Sequence, residues 1–427
     1  MKIGNKNLLL HLIILLLNLC IGGVKLEVVK DEKDLLKIIS SNIKILEINV
    51  ENEINITNNI NVNSFEKVII SGGSTENSIL NFLNLSHYLH FDNGVKEIQL
   101  NSLSIRGNLY FHDNLKINIQ NVHLTGNINS KFDIRNEYIN ISNFKYESSS
   151  NESDNCINLR GGNVNINNST FFGSSSCQNR LINYNGNGDD KYNLIIKDSY
   201  FSGEYQCPIL DIINGFNIDI NNSIFEKAYS SESIEGGSVM HALNSYVYIK
   251  NCTLKDNLSS EKGGAFYLYD LYDFEADHLD IFNTTSLKLG SMSYISTSEN
   301  INSIAKFTNI KQIDTGNILG MTNGGLIMGL EKSSNVLIDN YYAENLINPY
   351  ETACAFVVSE YATLTMSNIE IDTIQGRGTN GLFVYTCNSY NINISVTNVL
   401  INNGKQLSVR QTSIIWISDN CRATFDK

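Results

Sequence analysis

What most constrains this chain is a short pattern that keeps returning. "NVNINNSTFFG" at 163–173 is followed by "NLIIKDSYFSG" at 193–203, "NIDINNSIFEK" at 217–227 and "YVYIKNCTLKD" at 246–256. Aligned on the apolar residue two positions after the Ser, Thr or Cys, the series runs Phe171, Phe201, Phe225, Leu254, Ile281, Ile310, Tyr342, Ile369 and Val399, with steps of 24 to 32 residues. Leu103, Val122 and Phe144 extend it backward with shorter steps. A recurring unit of this length is the mark of a solenoid, a propeller or an array.

Each unit opens on strict apolar–polar alternation, as in "NIDINNSIF", "YVYIKNCTL" and "TLTMSNIEI". Period two means a strand with one buried face. A second apolar run follows a loop: "GGSVMHAL", "GGAFYLYDL", "GGLIMGL", "GLFVYTCN". A propeller blade needs four strands and about 40 residues, more than these units hold. The pattern therefore predicts an all-β, parallel β-helix of about twelve coils. In each coil the flanking Ile and Phe point inward. The Asn-Ser pair turns the corner, because Asn tolerates the left-handed conformation and its amide bonds nearby backbone. Stacked Asn side chains are expected to form a ladder along the rod.

The open end of such a rod invites edge pairing. "DEKDLLKIISS", 31–41, predicts a short capping helix with Asp31 as N-cap and Leu35, Leu36, Ile38 and Ile39 on its apolar side. Before it, Lys2 and Lys6, an apolar run over 8–21 and Gly22-Gly23 read as a secretory signal peptide. A membrane anchor is the alternative, although the run is short for a span of about 20 residues. The expected organisation is a signal peptide over 1–23, an N-terminal cap over 24–64 and the repeat domain over 65–427. Cleavage would leave no membrane span.

The net charge of −13 comes without a basic stripe, which argues against nucleic-acid binding. Export permits disulfides. Cys177 and Cys207 are one repeat apart and form a candidate pair; Cys387 and Cys421 form a second. Sequons place candidate glycans at Asn55, Asn84, Asn140, Asn151, Asn168, Asn221, Asn251, Asn257, Asn283 and Asn393.

The succession "ILEINV", "INITNNINV", "VIISGG" after the short helix resembles the start of secreted pectin-lyase-like right-handed β-helix proteins. "TLKDNLSSEKGGAFYL", with Leu254, Asn257, Gly263 and Gly264, resembles a polymorphic outer-membrane-protein repeat. That resemblance implies a right-handed helix and a surface or extracellular protein, many relatives being non-enzymatic.

Enzymes of this fold act on polysaccharides. Asp189-Asp190 matches part of the hydrolase pattern, but no G-H-G or R-I-K accompanies it. Arginines are few and none sits in an acidic cluster of the kind a lyase needs with calcium. His241 and His278 have no Ser or Cys partner pattern, so a triad is not supported. The densest candidate stretch is "YLYDLYDFEAD": Tyr267, Tyr269, Asp270, Tyr272, Asp273, Glu275 and Asp277. It suits a solvated loop, a sugar-stacking platform or a calcium site. No catalytic residue, resident metal or other cofactor is expected beyond that calcium option. The sequence favours a secreted or cell-surface, non-catalytic β-helix for adhesion, scaffolding or carbohydrate binding, with extracellular carbohydrate or surface proteins as partners. A polysaccharide lyase or glycoside hydrolase acting on plant or cell-wall polysaccharide is the alternative.

Overall fold

The computed structural model describes residues 24–426 except 42, 64, 134–136, 150–152, 189–191, 317, 319–323, 350–353, 378–380, 388–389, 408–413 and 418–420. The expected signal peptide, Asn151 and Asp189-Asp190 lie outside the described residues. The fold is the expected all-β parallel β-solenoid of about twelve turns, with one helix among the described residues. The chain divides into two compact units, 1–149 and 150–427.

In the first unit, the strands Ile45–Val50, Lys67–Gly72, Glu97–Arg106, Lys116–Thr125 and Tyr138–Ser142 stack in parallel. Their register sets Ile48, Ile70, Leu100, Ile119 and Ile141 in one buried column. Burying like on like along a column is how a parallel coil satisfies both its ladder and its core. The strand Val24–Val29 already pairs with Ile45–Val50. Both strands lie in the segment expected to form the N-terminal cap of a short helix and strands. Helix α1 (Glu32–Ile39) follows the first of them, with Asp31 accepting from the Asp34 amide at 2.8 Å. Leu35 and Ile38 are its buried positions, whereas Leu36 is 40% exposed.

In the second unit, two sheets form from successive parts of the coils, and a third from three of the coils. The first carries the repeated pattern: Asn163–Asn167, Asn193–Lys197, Asn217–Asn221, Tyr246–Lys255 and Asp273–Phe282 pair in parallel. The second runs from Ser153–Arg160 and Cys177–Asn185 through Leu210–Ile213, Met240–Leu243, Phe266–Tyr269, Ser293–Thr297 and Met328–Lys332 to Phe356–Ser359, Val384–Cys387 and Ile415–Trp416. A short third sheet joins Tyr229–Ser230, Leu258–Ser259 and Thr285–Ser286.

The repeated corner has the predicted geometry. Asn168, Asp198, Asn222, Asn251, His278, Asn309, Asn340, Asn368 and Asn398 all take φ between 46° and 56°. This left-handed position suits a short side chain that bonds locally. The ladder is present in stretches: Asn340 Nδ2 donates to Asn309 at 2.6 Å, and Asn398 Nδ2 to Asn368 at 2.7 Å. Ser169, Ser199 and Ser223 turn inward, each hydroxyl donating to the carbonyl two residues back. Beyond them Phe171, Phe201 and Phe225 stack nearly parallel, with centroids 4.7 and 5.0 Å apart.

The sequence alignment drifts after Ile281. The ladder sets Ile281 against Gln312, and Ile310 against Leu279, two positions earlier. Tyr341, not Tyr342, is the buried residue of the next rung. The strand that runs through the corner lengthens there to Ala305–Gly316 and Asn335–Asn348, so an apolar residue in another column mimics the pattern. The Gly-Gly pairs have a local cause as well. Gly263 has φ 70°, and a Cβ there would stand 2.2 Å from the Phe266 carbonyl oxygen.

The disulfide expectation is corrected. Cys177 bonds to Cys156, with Cα atoms 5.1 Å apart. Cys177 opens a strand of the second sheet that pairs with Ser153–Arg160, the strand that carries Cys156. Cys207 instead closes the tight turn after Gly203 and lies against Gly173, as a buried free thiol. The Cys387–Cys421 pair does not form either: Cys387 is a free thiol on the second sheet opposite Ser359, whereas Cys421 is on the first opposite Ile392.

Candidate functional site

The seven sequence-selected residues do not form one cluster. Tyr267 and Tyr269 project outward from the second sheet, and Asp270 makes the corner with φ 49°. Asp270 accepts from the Ser298 amide and hydroxyl, so its role is to brace the next turn. Tyr272 stacks on Tyr246 at 5.1 Å and nears Phe216 at 6.0 Å. Asp273, Glu275 and Asp277 lie on the outer positions of the first sheet. Two of them are paired by neighbouring rungs: Glu275 faces Lys306, and Asp277 accepts from Lys250 at 2.8 Å and from Asn309 at 2.7 Å, whereas Asp273 accepts from the Phe274 amide. Partial burial pushes the Asp277 pKa up, but these donors, with His278 and Thr308, outweigh it and hold the carboxyl well below the ordinary range. A density of acid along the sequence has become a solvated, cross-strand ladder.

The outer face of the second sheet holds a different group. Its register lines up Asn183, Asp211, His241, Tyr267 and Tyr294 on successive strands. Asn183 donates to Asp211 at 2.7 Å, and His241 Nδ1 is 2.7 Å from the other Asp211 oxygen. His241 Nε2 lies 3.1 Å from Glu235, which reaches in from the preceding loop. The Tyr267 ring sits between His241 and Tyr294, with centroids 5.4 and 5.0 Å away. Lys262 lies 4.2 Å above the Tyr294 ring and donates to the Tyr294 oxygen and to Glu331, both at 3.0 Å. The Tyr294 hydroxyl donates to Glu331.

Arg180 underlies this group. Its guanidinium is buried and donates to the backbone carbonyls of Glu235, Gly236 and Gly237. It thereby fixes the loop that carries Glu235. Burial lowers its pKa to about 10, against the pull of Asp211 and Glu235, so it remains charged at neutral pH. Burial tends to raise the Asp211 pKa; the His241 hydrogen bond and Arg180 outweigh it and lower the value. Burial, then the Glu235 and Glu331 carboxylates, push Tyr267 up to about 12. Clustered, perturbed groups on one face mark a candidate site.

Chemically, this is a set of carboxylates, one imidazole, phenol hydroxyls and ring faces, with its cations engaged. The carboxylate on each imidazole nitrogen leaves no Ser or Cys in the role of a triad nucleophile. Of this face, the sequence pattern singles out only Tyr267 and Tyr269. Asp211 and His241 are 30 residues apart, one repeat, and that spacing was the available signal. Among the described residues, one group has the spacing of metal ligands: His90, Asp92 and His112, in the first unit.

The sequon asparagines also separate. Asn55, Asn84, Asn168, Asn251, Asn283 and Asn393 are exposed, and Asn140 and Asn221 half-buried. Asn257 is only 1% exposed; its amide donates to the Phe225 carbonyl and accepts from the Ala228 amide, so the folded chain offers no glycan acceptor there.

No model of a known protein family matches the chain, and no curated protein matches its sequence. No helix among the described residues is long and apolar enough to cross a membrane. Among solved structures, a variant of a PL6-family alginate lyase aligns with 88% of this chain and 89% of its own, at 8% identity and a TM-score of 0.17. At that score the likeness carries no argument about activity.

Proposed function

We propose that this chain is a secreted or cell-surface β-helix protein that binds a neutral glycan on the outer second-sheet face of its second unit, without turning it over. The observation that carries the reading is the half-exposed Tyr267 ring, held between His241 and Tyr294 within a frame of Asp211, Glu235, Lys262 and Glu331. A ring face packs on sugar C–H groups, and carboxylates and imidazole bond its hydroxyls. The face carries three carboxylates and one lysine, which is already paired with Glu331, and this disfavours a uronate. A lyase needs a basic group to take a proton and a cation for the substrate carboxylate. Here Arg180 is spent on backbone carbonyls and Lys262 on Glu331. The disulfide supports an oxidising compartment, and the exposed sequons fit it.

The test is titration of the purified protein with neutral and uronic-acid polysaccharides, with a parallel assay for cleavage of pectin, alginate, xylan and chitin. Binding of a neutral glycan, weakened about tenfold (1.4 kcal/mol) by Tyr267→Ala, is expected. Cleavage of any of these polymers would overturn the non-catalytic reading.

A further inference from the structure

The second sheet of the first unit brings together three side chains with the chemistry of a transition-metal site. His90 and Asp92 are two residues apart, His90 on the strand Tyr88–Phe91 and Asp92 just after it. His112 ends the adjacent strand Asn108–His112. The ladder sets Phe91 against Phe111, so the residues one step on, Asp92 and His112, face each other across the rungs. One ligand atom from each of the three lies within 4.8 Å of the others, and all three are half-buried. His112 Nδ1 is 3.8 Å from Asp92 Oδ1.

Each imidazole has a polar group near its other nitrogen. His90 Nδ1 is 3.3 Å from the Asn61 side-chain oxygen on the preceding rung, which leaves Nε2 to coordinate. His112 Nε2 faces Asp113 at 3.6 Å, which leaves Nδ1 toward Asp92. Asp113 is itself fixed, accepting from the Asp133 amide at 2.8 Å. A metal-bound histidine usually has such a partner on its second nitrogen, which sets tautomer and ring orientation. Tyr88 and Tyr110 flank the His90 ring at 6.3 Å each and limit its rotation.

We propose that His90, Asp92 and His112 bind a divalent transition ion of the zinc class, with water completing the shell. Two imidazoles and one carboxylate are the donor set such ions take. Calcium needs six to eight oxygens, and this group supplies too few. The ligand atoms must close by about 1 Å to reach the spacing set by metal–ligand distances near 2.1 Å, which side-chain rotation supplies.

The test is calorimetric titration of the metal-free protein with Zn²⁺, and with Ca²⁺ as control, beside the absorption of added Co²⁺. The expected result is one Zn²⁺ equivalent and a visible Co²⁺ d–d band. Both are abolished in His90→Ala/His112→Ala, and Asn61→Ala weakens Zn²⁺ at least tenfold. Circular dichroism of each variant checks that the β-signal is unchanged. If the double variant takes up Zn²⁺ as tightly as the parent, or if Ca²⁺ binds at this site more tightly than Zn²⁺, the proposal fails.

Discussion

His241 is held between two carboxylates, with Nδ1 2.7 Å from Asp211 and Nε2 3.1 Å from Glu235. Asp211 is the less exposed of the two, and its pKa is lowered in the fold. A depressed carboxylate contributes stability that is complete above its unfolded value, about 3.9, and is lost as pH falls through the folded value. Asp211→Asn is expected to lower stability at pH 7 by about 1–3 kcal/mol. It should also narrow the gap between parent and variant below about pH 4. Urea melts at pH 7 and pH 3 check both; an equal loss at the two pH values would contradict the assignment.

Arg180 ties down the Glu235–Gly237 loop through backbone carbonyls. Arg180→Met keeps most of the volume but removes every donor. A loss of about 3 kcal/mol is expected, with Glu235 released from His241. Denaturant midpoints give the first quantity. The second is read as increased proteolysis within 231–237.

The disulfide between Cys156 and Cys177 closes a loop of 21 residues. By the chain-entropy argument this contributes about 3 kcal/mol. Cys156→Ala/Cys177→Ala should lower the unfolding midpoint accordingly, and reductant should do the same to the parent but not to the variant. A variant as stable as the parent under oxidising conditions would show that the bond adds nothing.

Glycan occupancy should follow burial. After expression in eukaryotic secretory cells, peptide mass spectrometry is expected to find sugar among the exposed sequons Asn168, Asn251 and Asn393 and none on Asn257. A glycan on Asn257 in folded protein would contradict the hydrogen bonds that enclose its amide.

The corner was legible in the sequence because its chemistry is local. Only a few side chains accept φ near 50°, so Asn returns wherever the chain must turn that way. Inward Phe171, Phe201 and Phe225 were legible because alternation alone fixes their face. Register was less so: once the strand through the corner lengthened, Ile310 and Tyr342 imitated the pattern from other columns. The sites were least legible. His90 and His112 meet only because two rungs align, and the acidic run 270–277 disperses around a corner. Arg180 is opaque in sequence, since its partners are carbonyls some 55 residues away.

The Cys156–Cys177 bond has a mechanical meaning as well. A solenoid whose turns touch only their neighbours yields to tension one turn after another. The cysteines are 21 positions apart in sequence, about 70 Å of extended chain. While the bond is intact, that length cannot be drawn out, so a molecule pulled by its ends keeps one turn locked at the start of the second unit. Reductant should add a single extension step of that size.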